Sequence, residues 1–267
     1  CPRVASIAQP PACAPAMPRH TLRIASYLLL LAALVSGRVM AAAPERAACD
    51  AGFESTLVAA PGKAPEANAL WLDRRLLRWP GVAAAGHFKL YHSHQAQLQA
   101  PVGQRVTGAD GALHLAVREA TLPPATASRF KWVGAGVTLA VRQADTARLR
   151  QLHRSQLWLV REDEQGRVLQ ASGVQVAGAL DDLFAAAEGM PDLGATVTKR
   201  GTQFKLWAPT AQGVSLCLHA NGQAPAQRLL PLKHDARSGV WSLRQRQDLT
   251  GHTYTYLVDV FVRGVGL

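Results

Sequence analysis

A chain of 267 residues with 48% hydrophobic content, 18% charged residues and a formal net charge of +11 is long enough for two compact cores at the usual ~100–200 residues per domain. That balance excludes collagenous and wholly disordered architectures. The basic excess raises nucleic acid as a partner, but Arg and Lys are scattered through "LDRRLLRW", "ARLRQLHR" and "LRQRQ", with no long run and no zinc, helix-turn-helix or RNP-like pattern, so no nucleic-acid partner is expected.

Residues 1–16, rich in Pro and Ala, precede Met17 and read as an upstream reading-frame extension. Met17 to Arg23 then supplies a basic start, Ile24 to Val35 an uncharged apolar run, and "VMAAAPE" a small-residue cleavage site. The apolar run is shorter than the ~20 residues a spanning helix needs, so residues 17–42 are expected to be a signal peptide cut after Ala41 or Ala42. A mature chain that is periplasmic or extracellular, with no membrane attachment, follows as the expectation. Removal of residues 1–42 takes away Arg3, Arg19, Arg23 and Arg38 and no acid, lowering the formal charge from +11 to +7. Cys49 and Cys217 remain. An oxidising compartment allows them to pair, while their wide spacing leaves the connectivity open. Arg46 stands where a lipobox needs an aliphatic residue, so lipidation of Cys49 is not expected.

Residues 43–67 are rich in Ala, Pro and Gly and read as a linker. From there to residue 178 the pattern is short strands. "ALWLDRRLLRWP" gives two strands around a polar turn, "HFKLYHSH" alternates Phe88 and Leu90 against Lys89 and Tyr91, and "GALHLAVRE" alternates Leu113, Leu115 and Val117 against His114 and Ala116. "QLWLVREDEQGRVLQASGVQV" gives a hairpin broken at Glu164-Gln165-Gly166. Strands at near-regular spacing with turn residues between them point to an all-β sandwich. Within it Trp71, Trp79, Trp132 and Trp158 sit in apolar strand contexts, which assigns each to the core. His92-Ser93-His94 puts two imidazoles on one strand face, but no acidic or Cys partner is near in sequence, so no metal site is expected.

Residues 179–195 break the β pattern: "GALDDLFAAAEGMPDLG" predicts a short helical linker with Asp181-Asp182 at its positive end and Gly189 and Pro191 as its stop. Adjacent carboxylates on a helix do not face each other, so this pair is not a catalytic dyad. Residues 196–267 return to strands, in "QFKLWAP", "VSLCLHA", "RLLPL", "GVWSLRQ" and "TYTYLVDVFV". Pro209 has no N–H for a ladder and marks a strand end.

The segment "LGATVTKRGTQFKLWAPTAQGVSLCLHANG", followed by "GVWSLRQRQDLTGHTYTYLVDVFV", resembles the carbohydrate-binding module family 48 sandwich that precedes the catalytic barrel of glycoside hydrolase family 13 debranching enzymes. Phe204, Trp207, Ala208, Pro209, Ala211, Val214 and Leu216 carry the F-x-x-W-A-P-x-A-x-x-V-x-L core of that module. Upstream, "ALWLDRRLLRWP", "FKLYHSH" and "VAGALDDLFAAAEGMPDLGATVT" are similar to the N-terminal immunoglobulin-like domain and linker of pullulanase-type α-1,6-glucosidases. The resemblance implies two consecutive immunoglobulin-like β-sandwiches, over 68–178 and 196–267, the second truncated before its last strand.

It also implies an accessory, non-catalytic part of an enzyme hydrolysing α-1,6 linkages in pullulan, starch or glycogen. Its implied partners are the α-glucan and the enzyme's own barrel. No cofactor is implied for this region, calcium belonging to the barrel if to either. The hydrolytic carboxylates, which family 13 places at barrel strand ends, lie outside the chain. Trp207 and Trp241 are its candidate sugar-contacting residues, with core or joint packing as the alternative for both. Asn221-Gly222-Gln223 departs from glycogen-binding relatives, which carry an aromatic there. The competing functions are a non-catalytic carbohydrate-binding surface protein and a family 13 branching or isoamylase-type enzyme.

Overall fold

Alternating burial, written by the sequence into most of its strands, organises the structure. The computed structural model describes residues 45–51, 64–118 and 121–262; the expected leader at 17–42 and the extension at 1–16 lie outside them. The chain is all-β. Seven strands come first: β1 (Ala69–Trp71), β2 (Leu76–Pro80), β3 (His87–Ser93), β4 (Gly111–Arg118), β5 (Gly136–Val141), β6 (Gln156–Glu162) and β7 (Val168–Gln175). Their ladder runs β1-β2-β5-β4-β3-β6-β7 and closes on itself.

Closure differs from the two separate sheets of an expected sandwich, and its cause is β1. This three-residue strand pairs antiparallel with β2, Leu70 opposite Arg78, and parallel with β7, Ala69 opposite Val174. With both of its edges bonded, the ring leaves no open ladder for another chain to join. Inside it pack Trp71, Trp79, Leu77, Leu90, Leu139 and Leu159. β5, "GVTLAV", shows no alternation because it is covered on both faces.

Three short helices decorate the ring. α1 (Pro124–Arg129) starts on a proline, whose missing N–H is no loss in a first turn. α2 (Leu149–Leu152) inserts Leu149 and Leu152 into the core. α3 (Ala177–Leu183) closes the core with Ala179 and Leu183, helped by Phe184 just beyond its end. Here Asp181 and Asp182 fall in the last turn of α3, not the first, so they face the negative end of the helix dipole. Arg129 offsets this by pairing with both carboxylates, and the Arg74 amide donates to Asp182 Oδ2 at 3.1 Å.

The remaining seven strands form two sheets. β10 (Gly213–His219) lies between β11 (Ala226–Pro231) and β14 (Thr253–Asp259); the second sheet runs β12 (Lys233–His234), β13 (Val240–Gln245), β9 (Gly201–Trp207), β8 (Gly194–Thr198). Phe204, Val214, Leu216, Leu218, Leu232 and Trp241 fill the space between them. Alternation on β10 sends Ser215 and Cys217 to the outer face, yet Cys217 is 0% exposed. The cover is the segment 45–51: its 3-10 turn Arg46–Cys49 presents Cys49, which is disulfide-bonded to Cys217. Asp50 Oδ1 accepts the Ala226 amide at 2.8 Å, and Arg46 donates to the Gln227 carbonyl at 3.3 Å.

Candidate carbohydrate-binding surface

Trp207 and Trp241 face each other across the ladder between β9 and β13, one register step apart: Trp207 pairs with Val240, and Leu206 with Trp241. Period-two geometry therefore sends them to opposite faces. Trp207 points outward and is 39% exposed. Its indole N–H donates to the Ser238 carbonyl at 3.0 Å. That carbonyl sits in a braced turn, because the Ser238 hydroxyl and amide both donate to Asp235 Oδ2 and the Arg237 amide to Asp235 Oδ1. The Ser238 hydroxyl bond is the main reason the Asp235 carboxyl titrates below its ordinary range. The result is a half-exposed aromatic face fixed at one edge, the arrangement a sugar ring can stack on.

Trp241 points inward. Only 6% exposed, it donates to the Ala208 carbonyl at 2.9 Å, packs on the His234 ring at 4.6 Å, and lies 5.6 Å from the Arg154 guanidinium. Burial leaves no indole face for a ligand, so a sugar-contact role for Trp241 is corrected to packing. Trp132 is corrected the other way: it is 66% exposed rather than in the core. It occupies the turn after α1, which the apolar sequence around it disguised as strand. Among the described residues no three His, Cys, Asp or Glu side chains form a metal-holding group. His92 is instead pressed against Gly111, where burial lowers its pKa, and His94 is engaged through its main chain, its amide donating to Asp110 Oδ2 and its carbonyl accepting from Gln212.

The joint between the ring and the two-sheet unit is built beside Trp241, and nothing local in the sequence signalled it. Arg154, one of the scattered basic residues, reaches across from the end of α2. Its Nε donates to the Ala211 carbonyl and its Nη2 to the Gln212 carbonyl, each at 2.7 Å, while the Gln212 amide returns a bond to the Arg154 carbonyl at 2.9 Å. Gly239, at φ +71°, lets Pro209 and Phe184 approach: a Cβ there would lie 2.6 Å from the Pro209 Cβ and 3.0 Å from the Phe184 ring. The A-P-T-A break after β9 is thus where the second unit is gripped by the first.

Residues 66–182 match the family described as the Pullulanase N2 domain, and residues 192–264 match carbohydrate-binding module 48, the isoamylase N-terminal domain. Pullulanase of Klebsiella pneumoniae is 30% identical over 198 residues, 73% of this chain and 17% of that protein. Pullulanase 1, chloroplastic, of Arabidopsis thaliana is 32% identical over 197 residues, 73% of this chain and 19% of that protein. The crystal structure of apo pullulanase from Klebsiella pneumoniae superposes with a TM-score of 0.66 at 28% identity, covering 78% of this chain and 23% of that one. The chain therefore spans less than a quarter of the length of these relatives. Ring and two-sheet unit thus match, in chain order, the Pullulanase N2 domain and carbohydrate-binding module 48.

Proposed function

We propose that this pair serves an exported α-glucan debranching enzyme that hydrolyses α-1,6-glucosidic linkages in pullulan, starch or glycogen, with the chemistry supplied by a (β/α)8 barrel outside these residues. One observation carries the reading: the two domain matches adjoin in the same chain, N2 first, separated only by residues 183–191. In this reading the closed ring and the two-sheet sandwich are joined through residues 179–195, and their partners are the α-glucan and the enzyme's own barrel. A pullulanase relative has been solved with maltotriose bound, which supports α-linked glucose as the ligand class. The pair itself contributes binding surface and spacing. Glycoside hydrolysis needs two carboxyl groups flanking the scissile bond, whereas Asp181 and Asp182 are engaged by Arg129 on the end of a helix.

Two observations support export: the basic–apolar–small segment at 17–42, and the Cys49–Cys217 disulfide, a bond that persists in oxidising compartments. N-terminal sequencing of the exported product should begin at Ala42 or Ala43; retention of "LLLLAALV" counts against export. The enzymatic reading is tested by the codons beyond Leu267. They are expected to encode a barrel with Asp, Glu and Asp at strand ends, and a protein extended through it should release reducing ends from pullulan while the 267-residue chain releases none. A stop codon, further sandwiches, or hydrolysis by the chain alone overturns it.

A further inference from the structure

A groove of about 920 Å³ opens on the outside of the N2 ring, far in sequence from Trp207. Its floor is the outer face of β5, where Thr138 and Ala140 point, with Val117 at the end of β4 lining one side; its walls are the turn after β1 and the helix α1. That volume lies in the range of ligand sites. Three features give the groove a chemistry. Arg118 projects at one side with no hydrogen bond or ion pair to any described residue. Opposite it, Arg74, Arg129 and Asp182 form a fixed polar rim through the Arg129–Asp182 pair and the Arg74 amide bond to Asp182. Aromatic surface continues the wall: Phe130 lines the groove under the Arg129 guanidinium, 5.1 Å away, and meets Trp132 edge to face with ring centres 6.1 Å apart.

Trp132 is the most exposed large hydrophobic residue of the molecule after Val102 among the described residues. An apolar ring left in water beside a polar groove marks a contact surface. The phenyl ring of Phe130 approaches the backbone of α3 closely at Gly178, where a Cβ would come within 2.8 Å of it, so this part of the aromatic wall is backed by α3. Flat apolar surface flanked by guanidinium donors and a carboxylate acceptor is the pattern that recognises a sugar: C–H faces stack on the ring while hydroxyls donate to and accept from the rim. An anionic ligand fits less well, because Asp182 faces the groove and Arg75 is spent on the Val141 carbonyl and Gln143.

We propose that this N2 groove, together with the Trp132 ring that adjoins it through Phe130, is a second α-glucan site, in which Trp132 stacks a glucose ring at the groove's edge and Arg118, Arg74 and Asp182 hydrogen-bond the hydroxyls of the α-linked chain running into the groove. The proposal rests on the α-glucan reading above and extends it from the carbohydrate-binding module to the N2 domain. Isothermal titration of the full chain with maltoheptaose tests it, with cellohexaose as the β-linked control. Trp132→Ala and Arg118→Ala are both at exposed positions, and an unchanged melting temperature verifies that each remains folded. Each is expected to weaken maltoheptaose binding roughly tenfold, the scale of one lost aromatic contact, with cellohexaose bound much more weakly throughout. Loss confined to Trp207→Ala overturns the N2 site and leaves the α-glucan reading standing. Equal binding of cellohexaose, or no maltoheptaose binding by the unsubstituted chain, also overturns the site; the debranching reading is then decided separately by the downstream codons and the pullulan assay.

Discussion

His153 shows how one buried side chain sets the acid stability of the ring. It is 3% exposed, stacks on Trp71 with ring centres 4.4 Å apart, and bonds the Leu149 carbonyl through Nδ1 at 2.8 Å. Burial pushes its pKa from 6.5 down to about 4. The unfolded chain therefore takes up a proton on this imidazole at a higher pH than the folded one, so stability is full above about pH 6.5 and is lost as pH falls towards 4. The loss amounts to about 3 kcal/mol, or roughly 8 °C in melting temperature. Burial lowers His92 and His234 in the same direction. His153→Leu should flatten the melting-temperature profile between pH 6.5 and 4 more than any other single histidine change; an unaltered slope would show that His153 protonates without unfolding.

Glu162 is the complementary case, a buried charge kept by its partners. Only 1% exposed, it receives Lys89 Nζ at 2.6 Å and the Tyr91 hydroxyl at 2.5 Å. Burial first, and then the Glu162 carboxylate, push the Tyr91 phenol well above its usual range. Lys89→Met should cost about 3 kcal/mol, because it strands a carboxylate in the interior. Adding Glu162→Gln should restore most of that. Urea midpoints of the single and double variants read both effects, and a double variant no more stable than Lys89→Met would refute the account.

At the scale of elements, legibility followed periodicity. Strands β3, β4, β9 and β10 were readable because each has one face in a core and one outside, which writes a period of two into residues such as Phe88/Leu90 and Leu113/Leu115. β5 was not readable, since "GVTLAV" is covered on both sides and its apolar run carries no phase. The acids of α3 were assigned to the wrong end of the helix because their partner, Arg129, lies 52 residues away from Asp181. The same limit hid which way the tryptophans turn: the inward turn of Trp241 depends on Arg154 and His234, and the outward turn of Trp132 on the end of α1, neither of which has a local signature. Tertiary contacts also concentrate risk at the joint. Gly239→Ala combines a left-handed φ of +71° with a Cβ 2.6 Å from Pro209, so it should cost about 2 kcal/mol or more. Intrinsic fluorescence is the matching readout, because Trp241 and Trp207 both report on this corner, and a variant as stable as the parent would mean that the joint yields freely.

Across the whole molecule, the Cys49–Cys217 bond ties the start of the described chain to the middle strand of the second unit, 168 residues away, with the entire N2 ring in the loop it closes. A loop of that length loses much conformational freedom in the unfolded state, which argues for about 2–5 kcal/mol of stabilisation. The benefit falls on one unit. Segment 45–51 contacts β10 and β11 through the disulfide, the Asp50–Ala226 bond and the Arg46–Gln227 bond, and two hydrogen bonds on a seven-residue strap do not offset its ordering entropy without the covalent tie. Reduction, or Cys49→Ser, should thus release the strap, uncover the outer face of β10 and lower the melting of the carbohydrate-binding module while the ring keeps its own. Hydrogen exchange resolves the two units: the Ala226 amide, which donates to Asp50 at 2.8 Å, should lose its protection on reduction, and the amides of Leu90 and Leu159 in the ring should retain theirs. Protection at Ala226 that survives reduction would show that the strap is held by its noncovalent contacts, and that the disulfide only records a position the segment already prefers.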